Sequence, residues 1–147
     1  MNKSIIILMA SALLLSSASC SQKKAESLVK KDISVQLYSI RDVIGNPEKY
    51  AQNHEEAFKA LAEMGYTSVE AACYSEGKLY GVEPEQYKAD LEAAGLKSLS
   101  THIGHNLSEE ELASGDFTES MKWWDQAIAA HKAAGCKYIV CPSFKVP

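Results

Sequence analysis

The chain has 147 residues, enough for one domain with a real core. Apolar residues make up 46% and charged residues 23%, which excludes a disordered chain. The formal net charge is −4 and no Lys/Arg cluster offers a phosphate-tracking stripe, so nucleic acid is not an expected partner.

The first residues stand apart from the fold. Lys3 supplies a positive start, Ile5 to Ala10 and Leu13 to Leu15 form an apolar run too short for a transmembrane helix, and Ser17-Ala18-Ser19 leads into Cys20. Residues 1–19 resemble a bacterial lipoprotein signal with a relaxed lipobox. That resemblance implies export, lipidation of Cys20, and anchoring to a membrane through a polar tether over 20–31. Ser21 in place of Asp after the cysteine resembles sorting to the outer membrane, facing the periplasm. An ordinary secretory peptide with an incidental Cys20 is the other reading. Cys73, Cys136 and Cys141 cannot pair completely, form no C-x-x-C, and read as small buried hydrophobes. A bridge from Cys136 to Cys141 would distort the strand between them.

The folded domain spans 32–147. Ile33 to Tyr38 alternates apolar and polar, the period of a strand. Asn46-Pro47 reads as an N-cap with Pro in the first turn of a helix that shares Ala57, Phe58, Leu61 and Ala62 on one face. Gly65 ends it and Thr67 to Ala71 is a second strand. Glu83-Pro84-Glu85 opens a second helix with Tyr87, Leu91 and Ala94 buried; Gly95 stops it and Lys97 to Ile103 is a third strand. A longer loop follows, with a helical turn at Ser108 to Glu111. A helix over Thr118 to Ala134 places Met121, Trp124, Ile128 and His131 on one face; Gly135 closes it before a fourth strand, Lys137 to Cys141. Short glycine links from helix to strand and longer loops from strand to helix argue for parallel βα units.

The strands do not read as unbroken apolar runs, as central strands of a doubly wound sheet do. Ser34, Gln36 and Tyr38 oppose Val35 and Leu37; Ser68 and Glu70 oppose Val69; Ser98, Ser100 and His102 oppose Leu99. Aligned on the three glycines, Ser68, Ser98 and Tyr138 fall together, as do Glu70, Ser100 and Val140. A polar inward face against an apolar helix-facing one suits a barrel with a binding site in its upper lumen. No G-x-G-x-x-G follows the first strand.

ISVQLYSIRD, AEMGYTSVE, LEAAGLKSLSTHIG and AAGCKYIVCPS, in this order, resemble the xylose isomerase-like TIM barrels, and in particular lipoprotein members of the sugar phosphate isomerase/epimerase type. The resemblance covers about Ile33 to Ser143 and implies an α/β fold of parallel (β/α) units. About four of eight strands are present, a half barrel. It further implies a metal-dependent isomerase or epimerase of a sugar, sugar phosphate or polyol, with carboxylates moving a proton beside a carbonyl and a divalent ion (Mn, Mg, Co or Zn) polarising oxygens. In that family the metal ligands come from the fifth to eighth strands, so the usual ligands are absent here and no residue is assigned to metal. The expectation is the front half of a longer protein, inactive alone, its open edges covered by a missing C-terminal half or by a second copy. The alternative is a non-catalytic carbohydrate-binding or vestigial lipoprotein built on the half barrel.

No catalytic residue is assigned. Glu70 and His102, at strand ends on the inward parity, are the leading substrate-binding candidates, with Gln36 and Tyr38 either in the lumen or in a lower packing layer. In the endonuclease branch of the superfamily a zinc-binding His at the place of His102 has a partner at the next strand, where this chain reads Cys141-Pro142-Ser143. His102 and His105 make an H-x-x-H across a strand end and loop, which is not a metal signature. Arg41 either holds a phosphate or carboxylate or, in the simpler reading, pairs with Asp42. Trp123-Trp124 reads as packing rather than a sugar platform, and His54 and His131 receive no function.

Overall fold

The computed structural model describes residues 31–143. The signal at 1–19, Cys20 and nearly all of the tether over 20–31 lie outside the described residues.

Strand β1 (Ser34–Gln36) passes into a 3-10 turn (Leu37–Ile40) and a short helix α1 (Arg41–Ile44). Helix α2 (Pro47–Glu63) starts where predicted: Asn46 is the N-cap, its side-chain oxygen accepting from the Lys49 N–H at 2.9 Å, with Pro47 in the first turn. Then come β2 (Ser68–Ala71), a hairpin of β3 (Tyr74–Ser75) and β4 (Lys78–Leu79), α3 (Pro84–Ala93), β5 (Lys97–His102), α4 (Glu109–Ser114), α5 (Thr118–Ala133) and β6 (Tyr138–Val140). The hairpin is absent from the sequence reading. Its turn is Glu76-Gly77, both at positive φ, a tight connection that two-residue strands announce weakly.

Three helix ends share one geometry. Tyr66, Leu96 and Cys136 donate to Leu61, Leu91 and His131, while Gly65, Gly95 and Gly135 donate to Ala62, Glu92 and Lys132. This is the Schellman pattern, with each glycine left-handed at φ +96°, +78° and +82°. The repeated Gly in the sequence is thus a repeated turn that reverses each helix into the next strand.

The sheet runs β1-β2-β5-β6, every pair parallel and every neighbour next in βα order. This is half of the eight-stranded arrangement. The core lies between one sheet face and the helices: Leu37, Val69 and Ala71 meet Tyr50, Phe58 and Leu61 of α2, Tyr87 and Leu91 of α3, and Ala134. Tyr80, at φ +52°, stacks between Tyr50 and Tyr87 at 5.2 and 5.8 Å.

Several expectations need correction. Tyr38 is not in β1; the strand ends at Gln36 because Leu37 turns into the core. Leu99 is an extra residue: Val69 pairs with Ser98 but Glu70 pairs with Ser100, so β5 bulges and Ser98 turns toward the helices, where its hydroxyl lies 3.0 Å from the Cys136 sulfur. Ser68 pairs with Lys97 rather than Ser98, and Ser100 pairs with Tyr138 rather than Val140, because barrel strands are staggered and alignment on the glycines ignores that shear. On α5, Met121 and Ile128 are exposed; the buried residues are Ser120, Ala127, Ala130 and His131. Cys141 is exposed, while Cys73 and Cys136 are half-buried, and all three are free thiols.

Candidate functional site

Gln36, Glu70 and His102 stand on three adjacent strands, at the C-terminal ends of β1 and β5 and one residue short of the end of β2. Register places Gln36 opposite Glu70 and Glu70 opposite Ser100. Their side chains meet. The Gln36 amide nitrogen donates to one Glu70 oxygen and lies 2.8 Å from His102 Nδ1. The buried Ser100 hydroxyl donates to the other Glu70 oxygen at 2.7 Å. Gln36, Glu70 and His102 are each half-buried, so the cluster is partly open to solvent.

This network fixes proton positions. A carboxylate only accepts, so Gln36 must turn its NH2 toward Glu70. The same nitrogen then donates its second proton to His102, whose Nδ1 must be the bare nitrogen. His102 therefore carries its proton on Nε2, and that N–H remains for a ligand. The site offers one negative acceptor and one neutral donor side by side, a pairing suited to vicinal hydroxyls or a hydroxyl beside a carbonyl.

Tyr38 does not join this group. It is 56% exposed on the 3-10 turn, with the Arg41 guanidinium 4.6 Å above its ring. Arg41 Nη1 also donates to the Tyr38 carbonyl at 3.1 Å, so the expected partner, Asp42, is replaced by Tyr38. His105 points elsewhere from His102: its Nε2 lies 3.0 Å from the Ser120 hydroxyl and its ring stacks on Trp123 at 4.5 Å. Trp123 is half-buried and makes ring contacts with His105, Tyr74 and Trp124. His54 and His131 bond the carbonyls four residues before them, of Tyr50 and Ala127, and burial holds His131 below the usual imidazole range. Ser100, which the sequence places on the parity of His102 and in register with Glu70, does pair with Glu70, and it joins the cluster although it is not among the expected binding residues.

Among the described residues no group of three or more His, Cys, Asp or Glu could share a metal ion. Both Glu70 oxygens and His102 Nδ1 are engaged by protein partners. The residues present do not fit a divalent ion, and no chemical step is assigned to one. No helix among the described residues is long and apolar enough to cross a membrane.

Parallel βα units with a polar constellation at the C-terminal strand ends are the arrangement of half a TIM barrel. No protein-family model and no curated protein matches the chain. A solved sugar phosphate isomerase/epimerase from Parabacteroides distasonis ATCC 8503 matches with a TM-score of 0.63 and 27% identity, over 80% of this chain and 43% of that one. A second sugar phosphate isomerase/epimerase from the same organism matches at 0.61 and 24% identity, over 84% of this chain and 42% of that one, a likeness of fold. The likeness to the first structure supports the xylose isomerase-like TIM-barrel superfamily, and the chain spans less than half the length of these solved structures.

Proposed function

We propose that this chain supplies the sugar-binding N-terminal half of an isomerase- or epimerase-type barrel, acting on a sugar, sugar phosphate or polyol. One observation carries the reading: the hydrogen-bonded cluster of Gln36, Glu70, Ser100 and His102 at the mouth of three adjacent strands. Glu70 accepts from a substrate hydroxyl and His102 Nε2–H donates to the neighbouring oxygen, while Gln36 and Ser100 hold both in place. Proton transfer beside a carbonyl, and the divalent metal that the resemblance implies, belong to the complete barrel. The unpaired edges of β1 and β6 are then closed by further parallel strands, from a C-terminal half or a second copy. Export and anchoring through a lipidated Cys20 complete the proposal. It rests on the run from Lys3 to Cys20, and replacing Cys20 with Ser should release the chain from the membrane fraction.

A second reading, a carbohydrate-binding protein without catalysis, is favoured by the hydrogen bonds that protein partners already make to both Glu70 oxygens and to His102 Nδ1, which leave each Glu70 oxygen a lone pair for a sugar hydroxyl. Titration calorimetry of the full chain with neutral hexoses and polyols tests the shared part. A hexose should bind, and Glu70→Gln should weaken it by about 10-fold or more, the loss of a charged hydrogen bond. Absence of binding to a folded chain overturns both readings. Incorporation of solvent deuterium into the bound sugar separates them, since only the enzyme reading predicts it.

A further inference from the structure

A polar recess lies just past the ends of β1 and β2. It has a volume of about 240 Å³ and is walled by the polar side chains of Tyr38, Arg41, Asn46 and Tyr80, with Leu37, Gly45 and Ala72. Leu37 follows Gln36 directly and Ala72 stands two residues past Glu70, so the recess sits just beyond the strand ends that carry the cluster.

Three of its polar side chains, Asn46, Tyr80 and Arg41, share a property. The Asn46 side-chain oxygen is taken by the Lys49 N–H, which leaves the Asn46 NH2 as the free end. The Tyr80 hydroxyl oxygen accepts from the Ala72 N–H at 3.0 Å, which leaves the O–H proton to donate. Tyr80 is 1% exposed, and burial pushes its hydroxyl above the usual phenol range, so the proton stays. Arg41 is held by the Tyr38 ring and carbonyl, and no carboxylate pairs with it among the described residues. Among the described residues its other N–H groups have no hydrogen-bond partner. No acidic side chain lines the recess. Donors whose acceptor atoms are already occupied, beside an unpaired guanidinium, match an oxyanion and repel a cation.

The wall is rigid. Tyr80 sits in the left-handed region, which a non-glycine residue occupies only when its surroundings hold it there. A Cβ on Gly81 would meet Pro47 Cβ at 2.6 Å, so the hairpin exit packs tightly on the start of α2. A Cβ on Gly45 would come within 2.3 Å of the Arg41 carbonyl oxygen.

We propose that Arg41, Asn46 and Tyr80 form an anion subsite for the charged end of the sugar, a phosphate ester or a carboxylate, whose polyol part reaches the Glu70–His102 cluster. The inference rests on the sugar-binding reading and deepens it. Arg41 is the specificity-determining residue: it selects a charged sugar over the neutral one.

Calorimetry of the full chain with glucose, glucose 6-phosphate, gluconate and inorganic phosphate tests it. At least one charged sugar should bind about 10-fold or more tightly than glucose, and the ratio should collapse in Arg41→Gln while glucose affinity holds. Arg41→Lys keeps charge without the planar fork and should recover only part of the preference. Glucose 6-phosphate against gluconate tells phosphate from carboxylate. Equal affinities for charged and neutral sugars, or a preference that survives Arg41→Gln, overturns the subsite and leaves the lumen reading standing. Inorganic phosphate binding that needs Arg41, with no glucose binding, keeps the subsite and sinks the lumen reading.

Discussion

At the scale of single residues, Gln36 is the linchpin of the lumen cluster, because one amide nitrogen serves both Glu70 and His102. Gln36→Ala removes both bonds and leaves a half-buried carboxylate with Ser100 alone. The expected cost is ~1–3 kcal/mol of stability, read by denaturant unfolding. Glu111 offers an independent check of local geometry. Its bonds to Ser120 and to Ser108 hold its carboxyl down at about 2. A depressed folded value means that its stabilising effect is whole above the ordinary value of 4.5 and disappears as pH falls through about 2. Carboxyl NMR should therefore show Glu111 titrating below the other glutamates, and Ser108→Ala should move it upward. Among the thiols, burial pushes Cys73 and Cys136 up, while Cys141 is exposed. Alkylation at neutral pH should mark Cys141 first.

At the scale of elements, the helices were legible because their caps are local chemistry. Asn46-Pro47 and the three glycines each state a boundary in one or two residues, and the backbone agrees. Gly65 and Gly95 have nothing within 4 Å of an added Cβ, so their role is conformational alone. Gly95→Ala should cost about 1–2 kcal/mol, and Gly81→Ala more, since its Cβ also meets Pro47. What the sequence hid depends on partners far along the chain. The bulge at Leu99 is set by pairing with β2, and it reverses the side that Ser98 faces. The buried face of α5 is made of small residues, Ala127 and Ala130 with Ser120, whereas the larger Met121 and Ile128 point outward. A hydrophobic stripe in sequence identifies an apolar face without saying which neighbour covers it. Two-residue strands such as β3 and β4 carry too few positions for periodicity to register.

At the scale of the molecule, the parallel sheet has two edges, β1 and β6, that are unpaired among the described residues. Near them lie exposed apolar side chains: Tyr138 and Val140 on β6, Met121 and Ile128 on α5, and Ile33 before β1. Unpaired edges and uncovered apolar surface favour association. Residues 21–147 should elute from size exclusion as dimers or larger species, and a well-folded soluble monomer would refute closure by a second copy. The inward convergence of Gln36, Glu70 and His102 was legible from strand parity, although the stagger between strands was not. That convergence is what the functional account stands on, and histidine-selective nitrogen NMR of the chain probes it most directly, with His102→Gln assigning the signal. The account predicts a neutral His102 with bare Nδ1 and a proton on Nε2, an arrangement lost in Gln36→Ala and shifted by added sugar. A His102 signal with the proton on Nδ1, indifferent to both Gln36→Ala and sugar, would contradict it.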